Sequence, residues 1–105
     1  MNRWDIFVMT FFYLDAYWDD HQTEELGNIC SSMNPFLFEG EGSAVPYVYT
    51  EFCDFLDGRK IKLENSFDLA NKYINSLKQP YITEAFSWIS KEEWLESCKE
   101  FLATK

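Results

Sequence analysis

His21 is the only histidine of the chain, and it directly follows two aspartates, Asp19 and Asp20. These carboxylates could hydrogen-bond the imidazole and prepare it for acid–base chemistry. One histidine cannot, however, supply a histidine-rich metal site or a catalytic centre built from several imidazoles. We therefore expect His21 to be a solvated residue at the end of a helix.

Three cysteines, Cys30, Cys53 and Cys98, could supply a nucleophile, a disulfide or metal ligands. An odd number of widely spaced cysteines forms neither a disulfide framework nor a CxxC-type zinc site. A catalytic thiolate also needs a base and an electropositive setting, which this acidic chain does not visibly offer. We expect all three side chains to be buried in a protein of the reducing cytoplasm.

Two segments, residues 39–42 and 54–58, each place two carboxylates beside a glycine. Neither segment has the ligand number or spacing of an EF-hand loop, and residues 40–42 lack the lysine and the flanking strand of a phosphate-binding loop. Because the chain has 18 acids, carboxylate pairs suited to glycoside hydrolysis are uninformative. We predict no enzyme, no cofactor and no metal ion. The alternative is a small hydrolase or metal-dependent enzyme that uses clustered carboxylates.

Length and composition favour one folded unit. The chain has 105 residues, of which 47% are hydrophobic and 19% aromatic, far more than in a disordered acidic tail. About 100 residues suffice for one core, so we expect residues 1–105 to form a single domain. The apolar run of residues 6–14 is shorter than the ~20 residues that cross a bilayer, and no signal-peptide cleavage site follows it. We expect a soluble, cytoplasmic protein with an aromatic core.

Large apolar side chains recur at helical spacing along most of the chain. In the first helix they step by 3, 4, 3 and 4 residues, and other apolar residues cover its remaining faces. This pattern predicts a central helix that is covered by others or engaged with a partner, with a strand as the alternative. The prediction is a mainly α-helical, compact bundle of five to six helices.

The predicted helices have recognisable ends. They span residues 2–19, 24–33, 46–57, from 65 or 66 until Pro80, 82–89, and from 91 towards the end of the chain. Residues 36–43 are expected to be an ordered glycine-rich loop, and residues 59–63 an extended connector. Thr23 and Ser90 are the expected caps, the latter in a capping box with Glu93, and Gly58 is expected to end the third helix.

The negative charge is unevenly distributed. Residues 1–58 contain eleven acids and one base, Arg3, a net charge of −10, whereas residues 59–105 contain eight bases and seven acids, a net charge of +1. Solubility and favourable helix-dipole interactions of Glu24 and Glu25 are one explanation. The other is a surface matched to a cationic partner, which the charge would attract and orient.

Aromatic side chains lie among these acids and could anchor an interface. We predict contacts of the carboxylates with lysine and arginine of a basic protein, and no direct binding to nucleic acid or membrane, because both are anionic. The predicted partner-binding residues are Asp15, Trp18, Asp19, Asp20, Glu24, Glu39, Glu41, Tyr47, Tyr49, Glu51 and Asp54.

Residues 33–52 resemble the central motif of small bacterial immunity proteins from contact-dependent inhibition and related polymorphic toxin systems. The specific part is Asn34-Pro35-Phe36, followed by an acidic glycine loop and then Ser43 and Pro46. The resemblance implies a stoichiometric inhibitor that binds a cognate toxin domain and covers its active site or substrate groove. Such toxins are frequently nucleases with a basic substrate-binding surface.

One further function is compatible with the same charge. An acidic decoy would mimic DNA or RNA and inhibit a host or phage nucleic-acid-binding protein. A decoy should bind several unrelated basic proteins with strong salt dependence, whereas an immunity protein should bind one. Partner breadth therefore separates the two hypotheses.

Overall fold

The structure of the protein is a computed structural model that describes residues 2–33 and 47–104. Most of its helices begin and end close to the predicted residues. Six α-helices and one short 3-10 helix make up this part of the chain, so the mainly α-helical prediction is confirmed. The helices are α1 Arg3–Asp20, α2 Glu24–Met33, α3 Tyr47–Leu56, α4 Ser66–Ser76, α5 Pro80–Ser87 and α6 Lys91–Ala103, with the 3-10 helix Leu63–Asn65 before α4.

Local hydrogen bonds explain where α1, α2 and α6 begin. Thr23 and Ser90 accept bonds from backbone amides three residues ahead, at 3.3 Å and 3.1 Å, as expected of N-caps. The predicted capping box of Ser90 is incomplete, because only this bond from the Glu93 amide is formed. Helix α1 begins with a complete capping box that was not among the predicted caps. There Asn2 Oδ1 accepts from the Asp5 amide at 2.9 Å, and Asp5 Oδ2 accepts from the Asn2 amide at 3.0 Å.

A glycine follows the end of α3, and a proline begins α5. Gly58 has a φ of 77°, the left-handed conformation that glycine adopts easily after a helix, so the predicted end of the third helix is confirmed. Pro80 was wrongly predicted to stop the fourth helix, because α4 already ends at Ser76 and Pro80 is the first residue of α5. Proline suits this position since the first amides of a helix have no intrahelical acceptor.

Helix α1 lies at the centre of the bundle, as its apolar faces predicted. It contacts α2, α3, α4 and α5, and its residues 5–11 are all buried. The core around it is aromatic: Phe7 packs on Phe52 with ring centroids 5.4 Å apart, and Phe52 packs on Tyr73 at 4.8 Å. On the α6 side, the buried Trp94 indole donates to Ser66 Oγ at 2.8 Å, which satisfies both polar groups.

The Cα radius of gyration is 12.9 Å, close to the ~13 Å expected of a compact domain of this length. In residues 2–33 and 47–104, no helix combines the length and the hydropathy needed to cross a membrane. The 3-10 helix also shortens the predicted extended connector, which ends at Lys62 because Leu63 already belongs to that helix.

Candidate partner-binding surface

The second half of α1, residues 15–20, carries three of the predicted contact acids on the outside of the bundle. Asp15 is half-buried, whereas Asp19 and Asp20 are exposed. Glu24 is exposed at the start of α2, four residues after the end of α1. Within the described residues, none of these carboxylates has a lysine or arginine nitrogen within 4 Å, whereas Asp68 pairs with Lys91 at 3.8 Å.

The helix dipole stabilises some of these acids and destabilises others. Glu24 and Glu25 lie in the first turn of α2, where the partly positive helix end stabilises anions. Asp19 and Asp20 lie in the last turn of α1, which contains no basic residue, so they face the partly negative end of the helix. Helix-dipole stabilisation therefore accounts for Glu24 and Glu25 but not for Asp19 and Asp20.

On one side of residues 15–20, a small cleft of about 110 Å³ separates α1 from α2. Its lining includes Asp15, Trp18, Gly27 and Cys30. A Cβ atom on Gly27 would lie 3.1 Å from Trp18 Nε1, so glycine allows the half-buried indole to pack closely against α2. Trp18 thus joins the two helices as well as bordering the acidic surface.

Two acids of α1 are close enough to α2 to affect the pKa of its Cys30 thiol. Burial, with a smaller contribution from the negative charges of Asp15 and Asp19, raises the pKa of Cys30 to about 12. These two aspartates are one helical turn apart, so they lie on the same side of α1. The structure therefore brings Asp15 and Asp19 together beside α2.

The acids of α3 lie elsewhere. Glu51 and Asp54 are exposed, and Glu51 adds to the effect of burial in raising the pKa of Tyr73 in α4 to about 12. Glu51 is therefore close to α4, whereas Asp15 and Asp19 are close to α2. Among the described residues, no contact joins the acids of α1 to those of α3, so the two groups are separate acidic regions.

Tyr49 was wrongly predicted to be a partner contact. Its side chain is only 3% exposed, because it packs edge-on against Trp4 and Phe7 of α1, with ring centroids 5.0 Å away in both cases. It belongs to the core. Glu39, Glu41 and the side chain of Tyr47 lie outside the described part of the structure.

The cysteine prediction was correct for two residues. Cys30 and Cys98 are buried, whereas Cys53 is half-buried. Burial raises the pKa of Cys98 to about 12 as well, which disfavours the nucleophilic thiolate. Across residues 2–33 and 47–104, no three His, Cys, Asp or Glu side chains converge as a metal site would require.

Sequence reasoning missed an aromatic group on the other side of residues 15–20. Tyr17 and His21 stack at 4.1 Å with an interplanar angle of 10°. Next to this pair lie Trp88 and Tyr81, which are 46% and 53% exposed and are the large hydrophobic side chains that stand out on the described surface. They are seven residues apart, about two helical turns, so they lie on the same side of α5 and away from its buried residues. That spacing could have identified them as one exposed face.

Two clefts of about 190 Å³ each flank the Tyr17–His21 pair, and each has a carboxylate in its lining. One is bordered by Asp20 and Trp88, the other by Glu84 and Tyr81. Exposed aromatic rings beside carboxylates suit cationic groups, since the rings attract cations through their faces. The second half of α1 and the adjoining face of α5 therefore combine negative charge with aromatic area.

Comparison of the chain with protein-family models, with curated proteins and with solved structures found no match. Function must therefore be inferred from the surface chemistry of this chain and from the motif in residues 33–52. Of these, the surface at the end of α1 is described in atomic detail.

Proposed function

We propose that this protein is a cytoplasmic immunity protein that binds a cognate basic toxin domain, a nuclease, and covers its active site or substrate groove. The observation that carries the proposal is the position of Asp19 and Asp20. They occupy the negative end of α1 without a neutralising lysine or arginine among the described residues. A cationic partner would supply the missing positive charge.

Electrostatics makes such a surface useful for fast recognition. A cluster of one sign raises the rate of encounter with a partner of the opposite sign, and the matching charges then fix the orientation of the complex. Exposed pairs contribute little affinity singly, typically below about 1 kcal/mol each. Affinity therefore requires the desolvated aromatic contacts beside the acids, which here are Tyr17 and Trp88.

The motif in residues 33–52 supports the same function independently of the surface charge. It resembles immunity proteins in Asn34-Pro35-Phe36 and in the acidic, glycine-containing sequence around Glu39 and Glu41. We include these two acids in the proposed interface on the basis of that resemblance. A toxin that cleaves nucleic acid must bind phosphates, so carboxylates can take their place on its surface.

Protection of growing cells tests the proposal directly. The C-terminal domain of the protein encoded immediately upstream would be expressed alone and together with this protein, and growth would be measured. We expect growth to stop with the toxin domain alone and to continue when the wild-type chain is present. Continued arrest with verified expression of both proteins would contradict the proposal.

A charge-matched pair of variants locates the interface. Asp15→Asn/Asp19→Asn/Asp20→Asn removes three negative charges from α1, and Glu92→Gln/Glu96→Gln/Glu100→Gln removes three from exposed positions of α6. Protection should weaken only in the first variant, because α1 faces the toxin in this proposal and α6 does not. Equal protection by both variants would remove α1 from the interface.

Partner breadth separates this function from a nucleic-acid decoy. At physiological salt an immunity protein should bind its cognate domain and ignore an unrelated basic protein such as egg-white lysozyme. Comparable binding to both would favour the decoy, since non-specific charge attraction does not select a partner.

A further inference from the structure

We propose that the cleft between the ends of α1 and α5 receives an arginine side chain of the partner protein. Its lining is Ala16, Tyr17, Asp20, His21 and Trp88, and its volume is about 190 Å³. The identity of the partner rests on the proposed function, but the chemistry of the cleft stands on its own residues.

The walls of the cleft are held in place before any ligand binds. Tyr17 is stacked on His21, and His21 Nδ1 lies 3.3 Å from the Tyr17 carbonyl oxygen. On the opposite wall Trp88 packs edge-on against Tyr13 at 5.7 Å. The Tyr13 hydroxyl is in turn 2.6 Å from Ser97 Oγ, which ties it to α6. A rigid site loses less entropy on binding.

The rings and the carboxylate favour a cation at the same place. The ring centroids of Tyr17 and Trp88 are 6.4 Å apart at an angle of 32°, so a cation held in the cleft beside them can lie within about 6 Å of both rings. Asp20 is exposed at the edge of this cleft and has no cation within 4 Å among the residues described. It can therefore pair with an incoming positive charge.

Guanidinium fits these features better than ammonium does. It is planar, it stacks on aromatic faces, and it is weakly hydrated, so it loses less on leaving water. Its N–H groups can also form two parallel hydrogen bonds with one carboxylate, while the plane of the group lies against a ring. The almost half-exposed Trp88 indole offers such a face.

A small-molecule titration tests the cleft without the partner. Two-dimensional ¹H–¹⁵N NMR spectra would follow the indole signals of the four tryptophans during addition of Nα-acetyl-L-arginine methylamide. We expect a saturable shift of the Trp88 indole, with Trp94 unmoved because it is buried in the core. The citrulline analogue, which has nearly the same shape without the charge, should leave Trp88 unmoved.

Two further comparisons define the chemistry. The lysine analogue should bind about fivefold more weakly, since it lacks the planar stacking group. Asp20→Asn should weaken arginine binding by a similar factor, whereas Glu92→Gln on α6 should leave it unchanged. No shift of Trp88, an equal shift with citrulline, or equal affinity for lysine would each overturn the proposal.

The NMR titration does not require the toxin, so its result can be compared with the protection of cells. If the cleft binds the arginine analogue but the chain fails to protect cells, the cleft is correct and the proposed function is wrong. If cells are protected but Trp88 does not respond, the function stands and the toxin is recognised by other contacts.

Discussion

The first half of α1, residues 3–14, and its second half, residues 15–20, are parts of one helix with opposite surroundings. In the first half even an acid, Asp5, is 1% exposed, and the apolar residues around it fill the core. In the second half no side chain is fully buried, and three of the six residues are aspartates. The first half therefore stabilises the fold, and the second is available for binding.

Aspartate itself has different effects in the two halves. Asp5 is in the first turn, where it completes the capping box with Asn2 and faces the positive end of the helix dipole. Asp19 and Asp20 face the negative end. The same residue type thus stabilises one end of α1 and destabilises the other, and this contrast can be measured.

The largest expected effect comes from the core half. Phe7→Ala removes a side chain that is 0% exposed and in contact with Tyr49 and Phe52, so we expect a loss of about 3–5 kcal/mol in the free energy of unfolding. Urea denaturation followed by circular dichroism would measure it. Trp88→Ala is the control, because this half-exposed ring should lose much less. Similar losses in both variants would contradict the placement of Phe7 in the core and of Trp88 on the surface.

Alkaline pH should destabilise the fold through the two buried thiols, one near each half of α1. Cys98 lies near Asp5 and Cys30 near Asp15 and Asp19, and both have pKa values of about 12 when folded against 9.0 ordinarily. Because the folded pKa is the higher one, the unfolded chain releases its thiol protons first. This contribution to stability is full below pH ~9 and is lost as the pH rises towards ~12.

The measurement is the urea midpoint at pH 8 and at about pH 10.5. We expect a lower midpoint at the higher pH, and a smaller decrease in Cys98→Ala, since that variant has one fewer buried thiol to ionise. Cys53→Ala is the matched control, because Cys53 is only half-buried. An equal decrease in wild type and Cys98→Ala would show that Cys98 does not contribute.

A smaller loss is expected at the start of α1. Asn2→Ala removes the acceptor for the Asp5 amide and breaks the capping box, which should lower the free energy of unfolding by about 1 kcal/mol. Asn75→Ala, at an exposed position of α4, is the control and should change it by less than about 0.5 kcal/mol. Thermal unfolding of the two variants would show whether the cap contributes as proposed.

The smallest effect has the opposite sign. Asp20→Asn should raise the free energy of unfolding by about 0.3–1 kcal/mol at low ionic strength, since it removes an anion from the negative end of α1. Glu24→Gln should lower it by a similar amount, because Glu24 is at the positive end of α2. Both effects should shrink when salt is added. A destabilised Asp20→Asn would show that this carboxylate has a structural partner.

Much of the fold was predictable because helix periodicity and end signals are local. The apolar spacing of α1 and the glycine at residue 58 identified a central helix and a helix end that the structure confirms. Tyr49 shows the limit. The sequence places it on a helix but does not say which helix covers it, and it is buried because α3 packs on the first half of α1.

The candidate site was predictable only in part, for the same reason. The acids at the end of α1 were evident from the charge count, but the aromatic clefts beside them were not. Tyr17 and Trp88 are 71 positions apart in the chain, and only the packing of α5 against α1 brings them together. The Asn2–Asp5 capping box was local and could have been recognised from its spacing.

The role of Asp19 and Asp20 in binding is tested most directly by measuring affinity and stability on one variant, Asp19→Asn/Asp20→Asn. Calorimetric titration with the toxin domain encoded upstream would give the dissociation constant, and urea denaturation would give the free energy of unfolding. We predict that the variant is more stable than wild type and binds about tenfold more weakly or worse. A more stable variant with unchanged affinity would contradict the proposed interface, because the two aspartates would then have no role in binding.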